Sequence, residues 1–205
     1  MSAGAGHVIV EPLTGEAMKS ALPAVARLRV AVFREWPYLY EGTEAYEQTY
    51  LSGLAQAANS VIVVARDGND VVGVATGAPL AEHTDEFVPL FAARGFDPQR
   101  IFYFAESVLL PSYRGHGIGH AFFDHREAAA RRAMGPAGAF THAAFCGVVR
   151  ADDDPRRPPG YRPLDAFWQK RGYAKVDGLF GSYTWREIGH TAQTTKAMQF
   201  WIRAL

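Results

Sequence analysis

The sequence predicts an α+β fold with a central mixed, mostly antiparallel sheet flanked by helices. Two observations carry that expectation. Two β-branched runs flank Asp67-Gly68-Asn69-Asp70, whose Asp-Gly pair is a strong local signal for an antiparallel hairpin. The chain then alternates strand and helix patterns without the regular βαβ rhythm of a doubly wound sheet.

Taken in order, a short strand from His7 to Pro12 alternates around Val8, Ile9 and Val10, and Gly15 breaks it. A helix is expected from Glu16 to Glu35, where Leu22, Val25, Leu28, Arg29 and Val32 recur at three- and four-residue steps and Pro37 stops it. A second helix is expected over 43–57, with Thr43 as N-cap and Tyr46, Tyr50, Leu51 and Leu54 on one face. After the hairpin come a short helix around 87–94 and a strand over 101–110, closed by Pro111. A helix from Gly117 to about Met134 ends at Gly135-Pro136, and Phe140 to Val149 reads as a strand. Arg150 to Pro163, with three aspartates, four arginines and four prolines, is a long loop of the kind that is usually functional. A short helix over 163–171 is stopped by Gly172 and followed by a strand, a further strand covers 182–187, and the tail KAMQFWIRAL reads as helical.

The chain of 205 residues is expected to form a single domain, with the amino-terminal helices and the 150–163 loop bordering one end of the site. Hydrophobic residues make up 48%, enough for a core. Lys plus Arg and Asp plus Glu both count 21, so the basic excess of a nucleic-acid binder is missing and no nucleic-acid partner is expected. One cysteine, Cys146, excludes an intrachain disulfide and fits a reducing compartment. The amino terminus lacks the pattern of a secretory signal and no apolar run approaches a membrane span, so a cytoplasmic protein with no membrane partner is expected. Nothing chooses between a monomer and a homodimer.

The most informative segment is VLLPSYRGHGIGHAFFDHREAAAR, where a buried strand meets a turn with glycines at 115, 117 and 119 and then a helix. Amides of such a turn and of the first helical turn lack internal partners, and with the helix dipole they favour a phosphate or pyrophosphate. Walker A fails for want of Gly-Lys-Ser/Thr, and in either GxGxxG register the last glycine falls on His120 or Phe122. The segment resembles the acetyl-CoA signature of the GCN5-related N-acetyltransferases, Q/R-x-x-G-x-G/A, met by Arg114, Gly117 and Gly119 between a strand and a helix. Phe167-Trp168 followed by Gly172-Tyr173 resembles a later part of the same family pattern.

That resemblance implies acetyl-CoA as co-substrate, no metal, and transfer of an acetyl group to a primary amine of a small, cationic molecule. The pyrophosphate would lie at Arg114, Gly115, His116, Gly117, Ile118, Gly119 and His120, and the pantetheine arm along the main chain of Val108, Leu109 and Leu110. Glu106, a carboxylate in an apolar strand, is the candidate general base, where burial would raise its pKa; Glu41, Glu44 and His142 are the reserves. Trp168 stands where many members carry a tyrosine that protonates the departing thiolate. Tyr161 or Tyr173 could replace it, or the thiolate leaves unprotonated. Trp36, Tyr38, Tyr40 and Cys146 are expected on the acceptor side, where aromatic walls suit a cation. His116, His120 and Asp124 at i, i+4 and i+8 make a weak metal pattern without the glutamate of HExxH. His142 and Cys146 lie about 13 Å apart on one strand, too far for a thiol-imidazole pair. A module that binds acetyl-CoA as a sensor, without turnover, is the alternative to an enzyme.

Overall fold

A computed structural model describes residues 8–57 and 59–205; His7, the first residue of the expected opening strand, lies outside them. Along the chain run β1 (Ile9–Leu13), α1 (Gly15–Phe33), α2 (Glu44–Gln56), β2 (Val61–Asp67), β3 (Asp70–Pro79), α3 (Leu80–His83), α4 (Val88–Ala92) and β4 (Ile101–Leu109). Then follow α5 (Ile118–Arg132), β5 (Met134–Gly135), β6 (Gly138–Ala139), β7 (His142–Val148), α6 (Asp165–Lys170), β8 (Ala174–Arg186) and β9 (Gln193–Ala204). Seven strands form one sheet in the order β1-β2-β3-β4-β7-β9-β8, and β5 with β6 makes a separate two-stranded ribbon. Only the β4–β7 pair of the large sheet is parallel.

Helices α1 and α2 cover one face, with Val25, Ala26 and Leu28 packed on Ile62, Val64 and Val74. Helix α5 covers the other, with Ile118, Phe122 and Phe123 against Val61, Val63, Phe102 and Phe104. Thr43 does cap α2, its hydroxyl accepting from the Tyr46 amide at 3.4 Å. The expected apolar face of α2 is revised: Tyr46 is exposed, and Glu47 takes the buried position because Arg29 of α1 supplies its counter-ion. The side chain of Leu54 lies outside the described set.

Two further expectations are corrected. The carboxy-terminal segment is not helical: β9 inserts between β7 and β8, burying Met198 and Phe200 on one face and Trp201 on the other. Alternating Met198, Phe200 and Ile202 give a period of two, and two flanking strands satisfy the backbone on both sides, which outweighs the helix preference of Lys, Ala and Met. Likewise the two strands expected after Gly172 are one, β8, with its register broken between Lys175 and Phe180.

Two irregularities in β4 shape the molecule. Its parallel pairing with β7 ends at Tyr103 opposite Ala144, so the two strands part beyond that point. Its register with β3 slips between Ala78↔Tyr103 and Thr76↔Glu106, so Phe104 and Ala105 together face the single residue Gly77, a β-bulge. A Cβ on Gly77 would stand 2.8 Å from the Phe102 ring, so only glycine fits there. The bulge resets the alternation of side chains: Phe102 and Phe104 face α5, whereas Glu106 and Val108 face α1.

Candidate active site

The parting of β4 from β7 opens into a cavity of about 890 Å³. Its lining takes in Arg114, Gly115, Gly117, Gly119 and His120 of the glycine end, Trp36, Tyr38 and Tyr161 of the aromatic end, and Glu106, Leu109 and Cys146. One continuous space thus joins the glycine turn to the aromatic loop.

The glycine end is built for an anion. Gly117 sits at φ 82°, a left-handed conformation that turns the chain from the β4 exit into α5. The first bonds of the helix run from the His120 and Ala121 amides to the Gly117 carbonyl, which leaves Ile118 and Gly119 among the unpaired amides of a helix start. Beyond the chain neighbours, no atom of the described residues lies within 4 Å of a Cβ placed on Gly115 or Gly117, so bare backbone borders open space there. His116 is exposed and does not line the cavity, and Ile118 is buried under the turn. Arg114 bridges the turn to the neighbouring loop: its Nη2 meets Glu35 at 2.8 Å and its Nε donates to the Leu109 carbonyl at 3.1 Å. Of the β4 exit, Leu109 lines the cavity, Val108 is packed against α1, and the Leu110 amide is spent on the Val72 carbonyl at 3.0 Å.

Glu106 is buried in a charged cluster. Arg29 reaches it through Nη1 at 2.7 Å and gives its Nε to Glu47 at 2.5 Å, while the Tyr50 hydroxyl donates to Glu106 Oε2 at 3.4 Å. One guanidinium is thus shared by two carboxylates, and the three charges sum to one negative. Glu106 Oε1 has no hydrogen-bond partner among the described residues. Burial and the nearby Glu106 carboxylate raise the Tyr50 phenol well above its ordinary range, so Tyr50 is a neutral donor.

At the aromatic end, two loops meet over the opening. Trp36 stands edge-on to Tyr161 at 6.0 Å between centroids. Arg150 donates to the carbonyls of Pro37 at 2.7 Å and Tyr38 at 3.1 Å and ion-pairs with buried Glu187 at 2.6 Å, and Trp185 Nε1 also donates to the Tyr38 carbonyl. Arg156 of the long loop reaches the other oxygen of Glu187 at 2.5 Å. The 150–163 loop, the 34–40 turn and the end of β8 are therefore fastened at one carboxylate. Cys146 lies beneath them, 3.0 Å from the Tyr103 hydroxyl, and burial pushes its thiol up to about 12, which removes it as a nucleophile at neutral pH.

Several expected residues lie elsewhere. Tyr40 does not line the cavity; its hydroxyl is engaged with Glu47. Glu41 is paired with Arg186 at 3.2 Å, His142 bonds to Thr141 beside Phe96, and neither these two nor Glu44 borders the cavity. Tyr173 is buried with its hydroxyl on Glu127 at 3.1 Å, away from the cavity, so Tyr161 is the phenol of the pair that reaches it. Trp168 lines the cavity, packed on Phe145 and Trp201. Asp124 ion-pairs with Arg171 at 2.7 Å and the His120 ring packs on Phe167, so the histidine spacing serves packing. Sequence reading passed over Arg29, Glu47 and Arg126 as chemistry, although Arg29 sits within the apolar stripe of α1 and Arg126 follows Phe122 by one helical turn. A charge on a buried stripe is the signal that could have found them.

Comparison with known proteins agrees with this architecture. The model of the acetyltransferase (GNAT) family matches residues 25–155. No curated protein matches the chain. The fold is similar to that of a ribosomal-protein-alanine N-acetyltransferase from Brucella melitensis, with 14% identity, TM-score 0.59 and coverage of 96% of this chain and 99% of that one. It is similar also to an N-acetyltransferase from Staphylococcus aureus, with 14% identity, TM-score 0.58 and coverage of 97% and 99%. An acetyltransferase from Thermus thermophilus aligns over 97% of both chains with 13% identity and TM-score 0.55. Sheet order, parted strands and glycine turn accompany a family match that spans more than half of the sequence, and the chain belongs to the GNAT family of acetyltransferases, which transfer acetyl groups from acetyl-CoA to amines.

Proposed function

We propose that this acetyltransferase acts on a primary amine of a small, cationic molecule, with Glu106 as the group that takes the amine's proton, directly or through a water. The observation that carries the reading is the single cavity that joins the glycine turn, Glu106 and an aromatic acceptor end. At that turn the residues fit the co-substrate: glycine clearance, helix-start amides and Arg114 suit a pyrophosphate, and the exposed Arg114–Glu35 pair is of a kind worth under about 1 kcal/mol, exchangeable for phosphate contacts. Bound there, acetyl-CoA supplies the activated acetyl group.

The chain's own residues account for the rest. The shared guanidinium leaves the Arg29, Glu47 and Glu106 cluster with one net negative charge, which favours a cation in the cavity, and Trp36, Tyr38 and Tyr161 add ring faces. Glu41 and Glu44 do not border the cavity, so the negative charge there comes from the Glu106 and Glu47 cluster. Glu106 Oε1, buried and without a hydrogen-bond partner among the described residues, is the lone-pair site for the proton. Tyr161 borders the space as a neutral phenol, its pKa raised by burial.

Free CoA release measured across a panel of primary amines tests the reading. Small diamines and other cationic amines are expected to turn over faster than neutral or anionic ones. Turnover confined to anionic amines would overturn the acceptor class, and binding of acetyl-CoA with no release for any amine would favour a sensor.

A further inference from the structure

Arg126 is a buried cation that the fold leaves without a counter-ion. It is 1% exposed, and no carboxylate among the described residues lies within ion-pair distance of it. Its Nε donates to the Phe122 carbonyl at 3.2 Å and its Nη1 to the carbonyls of Thr76 at 3.3 Å and Glu106 at 3.1 Å, the facing residues of β3 and β4 that flank the bulge. Nη2 has no partner. The guanidinium lies over Phe104 at 4.3 Å and Phe123 at 4.9 Å. Burial lowers its pKa to about 10, so the cation persists at neutral pH.

An isolated buried charge costs several kcal/mol, and a neutral donor would satisfy the same carbonyls. The charge itself therefore asks for a use. Nearby carboxylates are already taken: Glu106 is held by Arg29 on the opposite face, and Glu127, on the same helix, by Arg171 at 3.0 Å, Arg203 at 3.2 Å and the Tyr173 hydroxyl. Arg171 is spent on Asp124 and Glu127. What Arg126 still faces is the cavity, which it lines together with Phe104, Phe123, Phe145 and Trp168, an apolar wall in which a charge is weakly screened. Trp168 stands on that wall and its indole has no proton to give at neutral pH.

We propose that Arg126 stabilises by its charge the CoA thiolate that departs during transfer, in place of a proton donor. The inference rests on the acetyl-CoA reading above. In the transfer the amine nitrogen bonds to the acetyl carbon, the carbon–sulfur bond breaks with its electron pair retained on sulfur, and the amine's proton goes to Glu106 or water. The thiolate takes its proton from solvent afterwards.

The test reads the bound thiol rather than turnover. CoA binding is measured by calorimetry, and the thiol of bound CoA is titrated by its ultraviolet thiolate absorbance, with the desulfo-CoA complex as blank. The thiol is expected to ionise about one pH unit below that of free CoA, a tenfold larger thiolate fraction. Arg126→Gln, which keeps donors for the bulge carbonyls, should return it to the free value, and Arg126→Lys should hold it down. A bound thiol no more acidic than free CoA overturns the proposal from the unaltered protein alone, even should Arg126→Gln not fold. A low pKa that survives Arg126→Gln overturns it too. Absence of CoA binding would overturn the acetyl-CoA reading along with it.

Discussion

In the base role proposed for Glu106, the proton would go to the oxygen that Arg29 does not engage, and the neighbouring Glu47 shares the same guanidinium. Glu106→Gln should therefore lower turnover by about 10²- to 10⁴-fold near neutral pH with acetyl-CoA affinity almost unchanged. A primary amine ionises near pH 10, so raising the pH supplies neutral amine from solution and should recover part of the loss, which initial rates across a pH series would show. Near-normal turnover in the folded variant would make Glu106 structural. The carboxylate was legible as an acid in an apolar strand. Its facing α1 was not, because Phe102, Phe104 and Glu106 alternate in phase in the sequence and only the bulge opposite Gly77 separates them.

Among the elements, the turn into α5 carries its geometry in its glycines, and it was the most legible part of the site. Gly117 at φ 82° with open space beyond it admits no branched side chain without strain and obstruction. Gly117→Val should weaken CoA binding strongly in calorimetry while the far-ultraviolet spectrum stays unchanged; unaltered affinity would move the pyrophosphate elsewhere. β9 shows the opposite case. KAMQFWIRA holds good helix formers and a short apolar run that periodicity assigns to either state, and the deciding partner strands, β7 and β8, are distant in sequence. The loop fastening at Glu187 was equally hidden, since it joins Arg150 and Arg156 to Glu187, and Arg150 to the carbonyls of 37 and 38, through chain reversals that no local pattern encodes.

At the scale of the molecule, the two halves of the sheet meet through β4 and β7 over just three residue pairs, and the outer half depends on the packing of β9. Phe200 is fully buried there, with Phe87 and Phe91 each 4.9 Å from its ring. Phe200→Ala is expected to cost about 3–5 kcal/mol, read from the urea midpoint at constant slope. A cost under about 1 kcal/mol would place β9 outside the core. Composition made a packed apolar core legible, but not the order in which strands interleave. That order has a temporal side. β8 leaves the ribosome before β9, yet β9 is its sole neighbour in the sheet and also covers the outer edge of β7. During synthesis β1 to β4 with α1, α2 and α5 can assemble around the glycine turn, while β7 waits with one edge bare and β8 with no partner at all. The cleft thus acquires its second wall only once β9 has been made, and a nascent chain halted before β9 would hold the donor turn without an enclosed place for the reaction.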